Sequence, residues 1–355
     1  MIQALATQTS TAPASSLGAS TASRGLRVWL RSDEPVLLDA KSGCPHQIAE
    51  GISQLFRRQY GDQYHRDVLY NPSSISDAVE AGKWLAAVVL DSDGTTVAHG
   101  ALLRGEQGVK LARIVVDSSA RGRHLAERIT DALLDHAVAS GGGFAPVLTE
   151  SVTTHPVTQR LFISRGFEPL GVCVHKFLDY FQTGQRESVL VMGRDLSSSS
   201  RVLYVPEQFK GLCSYISDLH SLRAEVVVPP EVVSVSDSVE LKVRCDPYVG
   251  CGGVDVPVGA VPSHQLLSGI LHRLRDQQIK FVDGRVRLDD PCARSCIDTF
   301  LGLGFSFGYL EPCRGGTNLV MQWSAEPLHP RLESLALVGA AANDIRTLML
   351  QEGSY

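Results

Sequence analysis

The 355-residue chain has no apolar run close to the ~18 residues that a membrane-spanning helix needs. That excludes a helical membrane protein and predicts no membrane partner. Charge is also sparse. Charged residues make up 20% of the chain and the net charge is −5, a balance that does not favour a nucleic-acid partner. Cysteine pairs are missing: the eight cysteines (44, 173, 213, 245, 251, 292, 296 and 313) form no C-x-x-C. Cys292 and Cys296 share a helix face, but no second ligand pair accompanies them. No metal is expected, and the thiols fit free cysteines of a reducing, cytoplasmic compartment. The first stretch, residues 1–26, has neither the basic region nor the apolar run of a secretory signal. It is rich in Ala, Ser and Thr, a composition expected of a disordered tail.

What is present looks globular. The chain is 44% hydrophobic, and its length predicts two domains. Ile48, Ile52, Leu55 and Phe56 recur at helical spacing across 46–60. SSISDAVEAG predicts a second helix, capped by Ser73 or Ser74 and closed by Gly82. WLAAVVLDSDGTTVAHGALLR has two apolar runs around Asp93-Gly94, a hairpin signal. VKLARIVVD is a strand, and a helix with Leu125, Ile129, Leu133 and Leu134 on one stripe runs to His136. PVLTESV, FEPLGVCVHKF and SVLVMGRDL are strands, and THPVTQRLFISRG is a helix. The order predicts an α/β fold, a mixed sheet flanked by helices.

DLSSSSRV marks a seam near 196–201. Beyond it PEQFKGLCSYISDLHSL, PSHQLLSGILHRLRDQQ and CARSCIDTFLGLGF predict helices, and VELKVRC, KFVDGRVRL and TNLVMQW predict strands. LFISRGF and TFLGLGF each end a helix on Gly-Phe, and SVLVM and TNLVM then close each half. The echo predicts a diverged duplication. The expected domains are a tail (1–26), a first domain (27–196), a second (197–328) and a closing helix (329–355).

The stretch SARGRHLAERI follows the strand ending at Val116. A loop feeding a helix there aims unpaired backbone N–H groups and the positive end of the helix dipole at one point. Arg121 and Arg123 add donors suited to phosphate oxygens. A basic helix start that binds nothing is the competing interpretation. In its setting, IVVDSSARGRHLAERITDALLDHA resembles the acyl-CoA signature of GNAT-type acyltransferases, an apolar strand followed by Arg/Gln-x-x-Gly-x-Gly/Ala. The Gly-Phe of LFISRGF resembles that family's second signature. The resemblance covers about residues 30–195 and continues more weakly to about 325. It implies two GNAT-like domains, the second degenerate because PSHQLLSGILHRL has no Gly or Arg at its start.

The resemblance further implies acetyl-CoA, or another acyl-CoA, as co-substrate. Its pyrophosphate would lie on Arg121, Gly122, Arg123, His124, Leu125 and Ala126. Its pantetheine arm would meet the backbone of Ile114, Val115 and Val116, in a gap between LARIVVD and PVLTESV. Two positions depart from the family pattern. His124 replaces a glycine, and keeps its N–H in place if φ is negative. Phe162 stands where a tyrosine often serves as the acid. The acceptor expected is a small-molecule amine, because tandem proteins with one degenerate half resemble bacterial enzymes of small metabolites. Such an amine needs a base. Glu150 qualifies if burial raises its pKa, and His155 titrates near neutrality unperturbed. A solvated strand-end carboxylate and a helix cap are the plainer roles for the two. A thiol or hydroxyl acceptor, or a CoA-binding protein without activity, are the alternative functions.

Overall fold

The structure is a computed structural model that describes residues 33–352, apart from 63, 65, 66, 106, 107, 141–145, 180–182, 195–200, 231–234 and 314. The expected tail and residues 195–200 of the Ser-rich seam fall outside the described residues. Two compact units divide the described chain: residues 33–105 with 111–140, and residues 108–110 with 146–352. The mixed α/β architecture is the one expected, but residue 201, the described end of the seam, lies inside the second unit. No described helix is long and apolar enough to cross a membrane.

The first unit opens with β1 (Val36–Leu38), followed by α1 (His46–Tyr60) and α2 (Pro72–Glu80). Asn71, not a serine, caps α2: its side chain accepts the Ser73 and Ser74 N–H groups, and Pro72 occupies the first turn where no N–H is needed. The hairpin β2 (Trp84–Leu90) and β3 (Thr96–Arg104) forms as the two apolar runs and the turn residues between them require. β4 (Val109–Val116) adds to β3, giving the order β1-β2-β3-β4. Its first two residues belong to the second unit. A short turn leads to α3 (Leu125–Ala139). Leu125, Ile129, Leu133 and Leu134 of α3 are buried, each such side chain contributing about 1.5–3 kcal/mol. Gly100 in β3 lets the helix approach, since a Cβ there would strike Ile129.

The second unit contains β5 (Val147–Val152), α4 (Val157–Ile163), β6 (Glu168–Phe177) and β7 (Glu187–Arg194). The small parallel pair β8 (Val202–Tyr204) and β9 (Glu225–Val227) flanks α5 (Lys210–Leu219). Then come β10 (Lys242–Asp246), β11 (Cys251–Asp255), α6 (His264–Asp276), β12 (Phe281–Arg287), α7 (Ala293–Leu301), β13 (Ser306–Cys313) and β14 (Gly316–Ser324). The large sheet of this unit runs β5-β7-β6-β13-β14-β12-β11-β10. The expected closing helix is two, α8 (Leu328–Ser334) and α9 (Ala340–Glu352), split before Gly339 at φ +91°.

That strand order places β5-β7-β6 and β12-β14-β13 as mirror runs meeting at β6 and β13. Their details repeat. Both α4 and α7 end on a left-handed glycine, Gly166 (φ +73°) and Gly304 (φ +80°). In both, the following phenylalanine N–H returns to a phenylalanine carbonyl in the helix: Phe167 to Phe162 and Phe305 to Phe300, each at 3.1 Å. The rings then pack, at 5.3 Å and 4.9 Å between centroids. The register slips at a matching point in both, between Pro169 and Gly171 opposite Met192 and Val191, and between Phe307 and Tyr309 opposite Met321 and Val320; β6 slips a second time, between Cys173 and Phe177. A bulge and a helix stop at matched places are local geometry that the Gly-Phe echo encodes.

Candidate functional site

In the first unit, β4 carries an interruption that its sequence hides. Arg113 has φ +62°, a left-handed conformation rare for a residue with a side chain. The alternation of buried and half-exposed residues breaks across Ala112, Arg113 and Ile114. Arg113 is held there on two sides. Its carbonyl meets Nδ1 of buried His99 at 2.9 Å, and its guanidinium stacks 3.8 Å from the centre of the Trp84 ring. Burial drives the His99 pKa down to about 4, so this partner is neutral at physiological pH.

Past Val116 the chain turns under a carboxylate clamp. Asp117 accepts the Ser119 N–H (3.0 Å) and hydroxyl (2.8 Å). Nε of Arg58 donates to its other oxygen at 2.8 Å, while the same guanidinium donates to the Thr96 carbonyl. The Arg58 hydrogen bond and then that of Ser119 lower the Asp117 pKa to about 2. The next residues carry the expected signature. Arg121 is exposed, and Gly122 has φ +80°. His124 sits at the α3 N-cap with φ +57° and ψ +30°.

The negative φ on which the backbone role of His124 is conditioned is not met: the histidine adopts a left-handed conformation that glycine favours. Its ring is exposed and lies 3.2 Å from Glu127. The helix begins at Leu125 rather than near Gly122, because two left-handed residues in four prevent an earlier start. No side chain caps α3. Its first internal bond runs from the Arg128 N–H to the His124 carbonyl, leaving the Leu125, Ala126 and Glu127 N–H groups ahead of the helical ladder. Arg123 does not serve as expected. It pairs with Asp33 and, at 3.5 Å, with Asp91, tying the turn to neighbouring segments. Ile114 and Val116 are half-buried and Val115 is buried.

The second unit places the other candidates differently. The Glu150 carboxylate on β5 lies between Lys110 Nζ at 2.5 Å and Lys176 Nζ at 2.8 Å. Burial opposes its ionisation, but the two ammonium groups overcome that and hold the carboxyl far below the usual range. A net rise in pKa is the condition on which Glu150 qualifies as a base, and the two lysines reverse it; a doubly paired carboxylate is a poor base. Lys176 is itself buried, its pKa raised by Glu150 despite desolvation. His155 precedes Pro156 at the start of α4, and burial lowers its pKa. Phe162 is core, packed on Phe167. Asp290 accepts backbone N–H groups of Gly259 and Cys292, a turn role.

One residue escaped the sequence reading. Glu187, the first residue of β7, is fully buried. Its Oε2 accepts the Thr154 hydroxyl, and its Oε1 has no hydrogen-bond partner among the described residues. A charged residue opening an otherwise apolar strand, RESVLVM, was the available signal.

No family model matches the chain, and no curated protein matches it in sequence. Solved structures do resemble it. A GCN5-related N-acetyltransferase from Kribbella flavida is 21% identical, with a TM-score of 0.37 over 46% of this chain and 98% of its own. A GNAT-superfamily phosphinothricin acetyltransferase from Sinorhizobium meliloti, solved with AcCoA, is 18% identical, with a TM-score of 0.36 over 45% and 87%. An aminoglycoside 6'-N-acetyltransferase complexed with coenzyme A is 17% identical, with a TM-score of 0.32 over 41% and 89%. These are likenesses of fold alone, each spanning less than half of this chain.

Proposed function

We propose that the chain is an acyl-CoA-dependent N-acyltransferase that moves acetyl, or another short acyl group, to the amine of a small molecule. The observation that carries this reading is the turn between β4 and α3. Two left-handed residues, Gly122 and His124, deliver the chain to a 15-residue helix with no side-chain cap. The Leu125 and Ala126 N–H groups and the exposed Arg121 suit a diphosphate, through orphan donors, helix dipole and guanidinium together. A Cβ added at Gly122 would meet nothing within 4 Å, so the turn is open on that side. The left-handed Arg113 interrupts the alternation of β4 just before Ile114, Val115 and Val116, an irregularity that suits hydrogen bonding of their backbone to a pantetheine arm.

The second half is a degenerate copy in this proposal. Its loop before α6 is closed by its own groups. Ser263 caps the helix by accepting the Leu266 N–H, and Asp290 takes the Gly259 N–H. β11 and β12 stay paired in parallel from Cys251 to Asp255. The test is a calorimetric titration with acetyl-CoA, followed by thiol release across a panel of amines. R121A is expected to weaken acetyl-CoA binding by roughly tenfold or more, the worth of one charge-assisted bond. No measurable affinity in the wild-type chain, or unchanged affinity in R121A, removes the proposal's support.

A further inference from the structure

Three groups in the second unit invite a function. The first is the charged run from Arg244 through Asp255, Asp283 and Arg285 to Glu311, whose carboxylates and guanidiniums satisfy one another at 2.5–3.2 Å. The second is Cys251, whose thiol is engaged by the Lys176 carbonyl. The thiol leaves nothing that asks for a ligand, and the run leaves only Nε of Arg244 without a hydrogen-bond partner among the described residues, on a guanidinium already tied to two carboxylates. The third is Glu187, and it does.

We propose that Glu187 binds the ammonium group of the acceptor and takes its proton. The assignment rests on the acyl-transfer reading for its chemistry, but its geometry stands within the second unit. Strand pairing puts Glu187 where β5, β6 and β7 end together: Val152 pairs with Val189, and Phe177 pairs with Glu187. The turn after β5 reaches the same end, with the Thr153 N–H donating to the Ser188 carbonyl at 3.0 Å. Exposed Thr154 then donates its hydroxyl to Oε2, fixing the carboxyl plane. Oε1 is buried and without a hydrogen-bond partner among the described residues. A buried carboxylate oxygen is costly unless something positive or protic meets it.

An aliphatic ammonium answers both needs, with three donors and a charge. The groups acting on the carboxyl are Thr154 from the turn after β5, Asp179 after β6 and Arg331 on α8. Burial raises its pKa, Thr154 lowers it, Asp179 raises it again and Arg331 opposes. The net rise brings the group towards the range in which a carboxylate is a useful base. Glu150, with two lysines against it, has no such freedom.

The step balances. The acceptor's ammonium gives one proton to Glu187, and the freed nitrogen lone pair forms the bond to the thioester carbonyl carbon. The carbon–sulfur bond breaks with its electron pair on sulfur. The nitrogen's second proton goes to the thiolate, and Glu187 returns its own proton to solvent. The products are the amide, coenzyme A and one proton.

Two measurements test this. Difference infrared spectroscopy of wild type against E187Q, across a pH series, reads the carboxyl directly and needs no turnover. A protonated-carboxyl band is expected to persist above the ordinary glutamate range. Methylammonium chloride should drive it to the ionised form, and tetramethylammonium chloride, which has no N–H, should not. Absence of the band, or equal effects of the two salts, overturns the assignment. With acetyl-CoA and an amine that the thiol-release screen identifies, E187Q should lose roughly a hundredfold in kcat/KM while binding acetyl-CoA as wild type does. T154V should move the acid limb of the pH profile upward, because the donor that favours ionisation is gone. Full activity in E187Q, or an unmoved limb in T154V, also overturns it. If acetyl-CoA fails to bind but the infrared response holds, the ammonium site stands and the acyl-transfer reading falls.

Discussion

The chain offers the same sequence of elements twice, strand-helix-strand-helix-strand-strand, and finishes them in opposite ways. In the first copy, β4 contains a left-handed arginine and α3 starts without a side-chain cap. In the second, β11 pairs evenly along β12 and α6 is capped by Ser263. The strand centres differ too. Glu150 pairs opposite Val191, and Arg285 pairs opposite Val320. These valines occupy the same place in SVLVM and TNLVM, so one position holds a carboxylate between two ammonium groups, and the other a guanidinium among three carboxylates. Folding needs the frame and the neutralised centre. It does not need a bare helix start, which is why the uncapped copy draws the functional reading.

The largest effect should come from the centres. E150A leaves Lys176 buried without the carboxylate it pairs with, and R285A takes the guanidinium from Glu311 and leaves Asp283 with Arg244 alone. Removing one partner of a buried pair costs about 3–5 kcal/mol, so both variants should unfold at markedly lower urea. E150Q should recover part of the loss in acid. The Glu150 pKa is depressed on folding, so its stabilisation is complete above the unfolded-state value and drains away as pH falls towards the folded one. A small effect in E150A with a large one in R285A would show that only the second centre is structural, and would reopen Glu150 as a reacting group.

Much of this contrast was legible in the sequence, and the illegible parts share a cause. Hairpin, helix stripes and Gly-Phe corners are set by residues within about ten positions of one another, which is the range over which periodicity and turn chemistry act. Asn71 was passed over for the serines beside it because either type caps a helix. The fate of Glu150 was not readable. Its lysines sit 40 and 26 residues away along the chain, and strand pairing alone brings them together. Glu187 hid for the same reason: burial depends on what covers it, and Thr154 comes from 33 residues earlier. The signature at 121–126 was visible as residue types, but the hands of Arg113 and His124 belong to tertiary constraint.

A middle-sized effect tests the turn in front of α3. D117N removes the charge that Arg58 and the Ser119 N–H converge on, and should cost roughly 2 kcal/mol at neutral pH. The wild-type contribution has a definite pH window. With the folded pKa depressed to about 2, it is whole above the unfolded value near 4 and disappears as pH drops through the folded one. D117N should therefore match wild type in acid and fall below it at neutrality, as read by thermal melts across pH. Parallel curves would mean that the Arg58 clamp adds nothing to the turn. S263A, the matching change at α6, should cost only about 1 kcal/mol, the worth of an N-cap.

The smallest effect bears most directly on why the two helix starts differ. His124 carries a Cβ in a conformation that costs a non-glycine residue about 1–2 kcal/mol, and its ring makes one exposed contact, with Glu127. If the backbone is what matters, H124G relieves the strain, offset by extra entropy in the unfolded chain. The net should be a gain of up to about 1 kcal/mol with acetyl-CoA affinity kept. H124A keeps the Cβ and loses the ring, so it should be no more stable than wild type. A ring that touches phosphate gives a different pattern: H124G and H124A would lose affinity alike. Titration calorimetry of both variants with acetyl-CoA separates a strained hinge from a side-chain ligand.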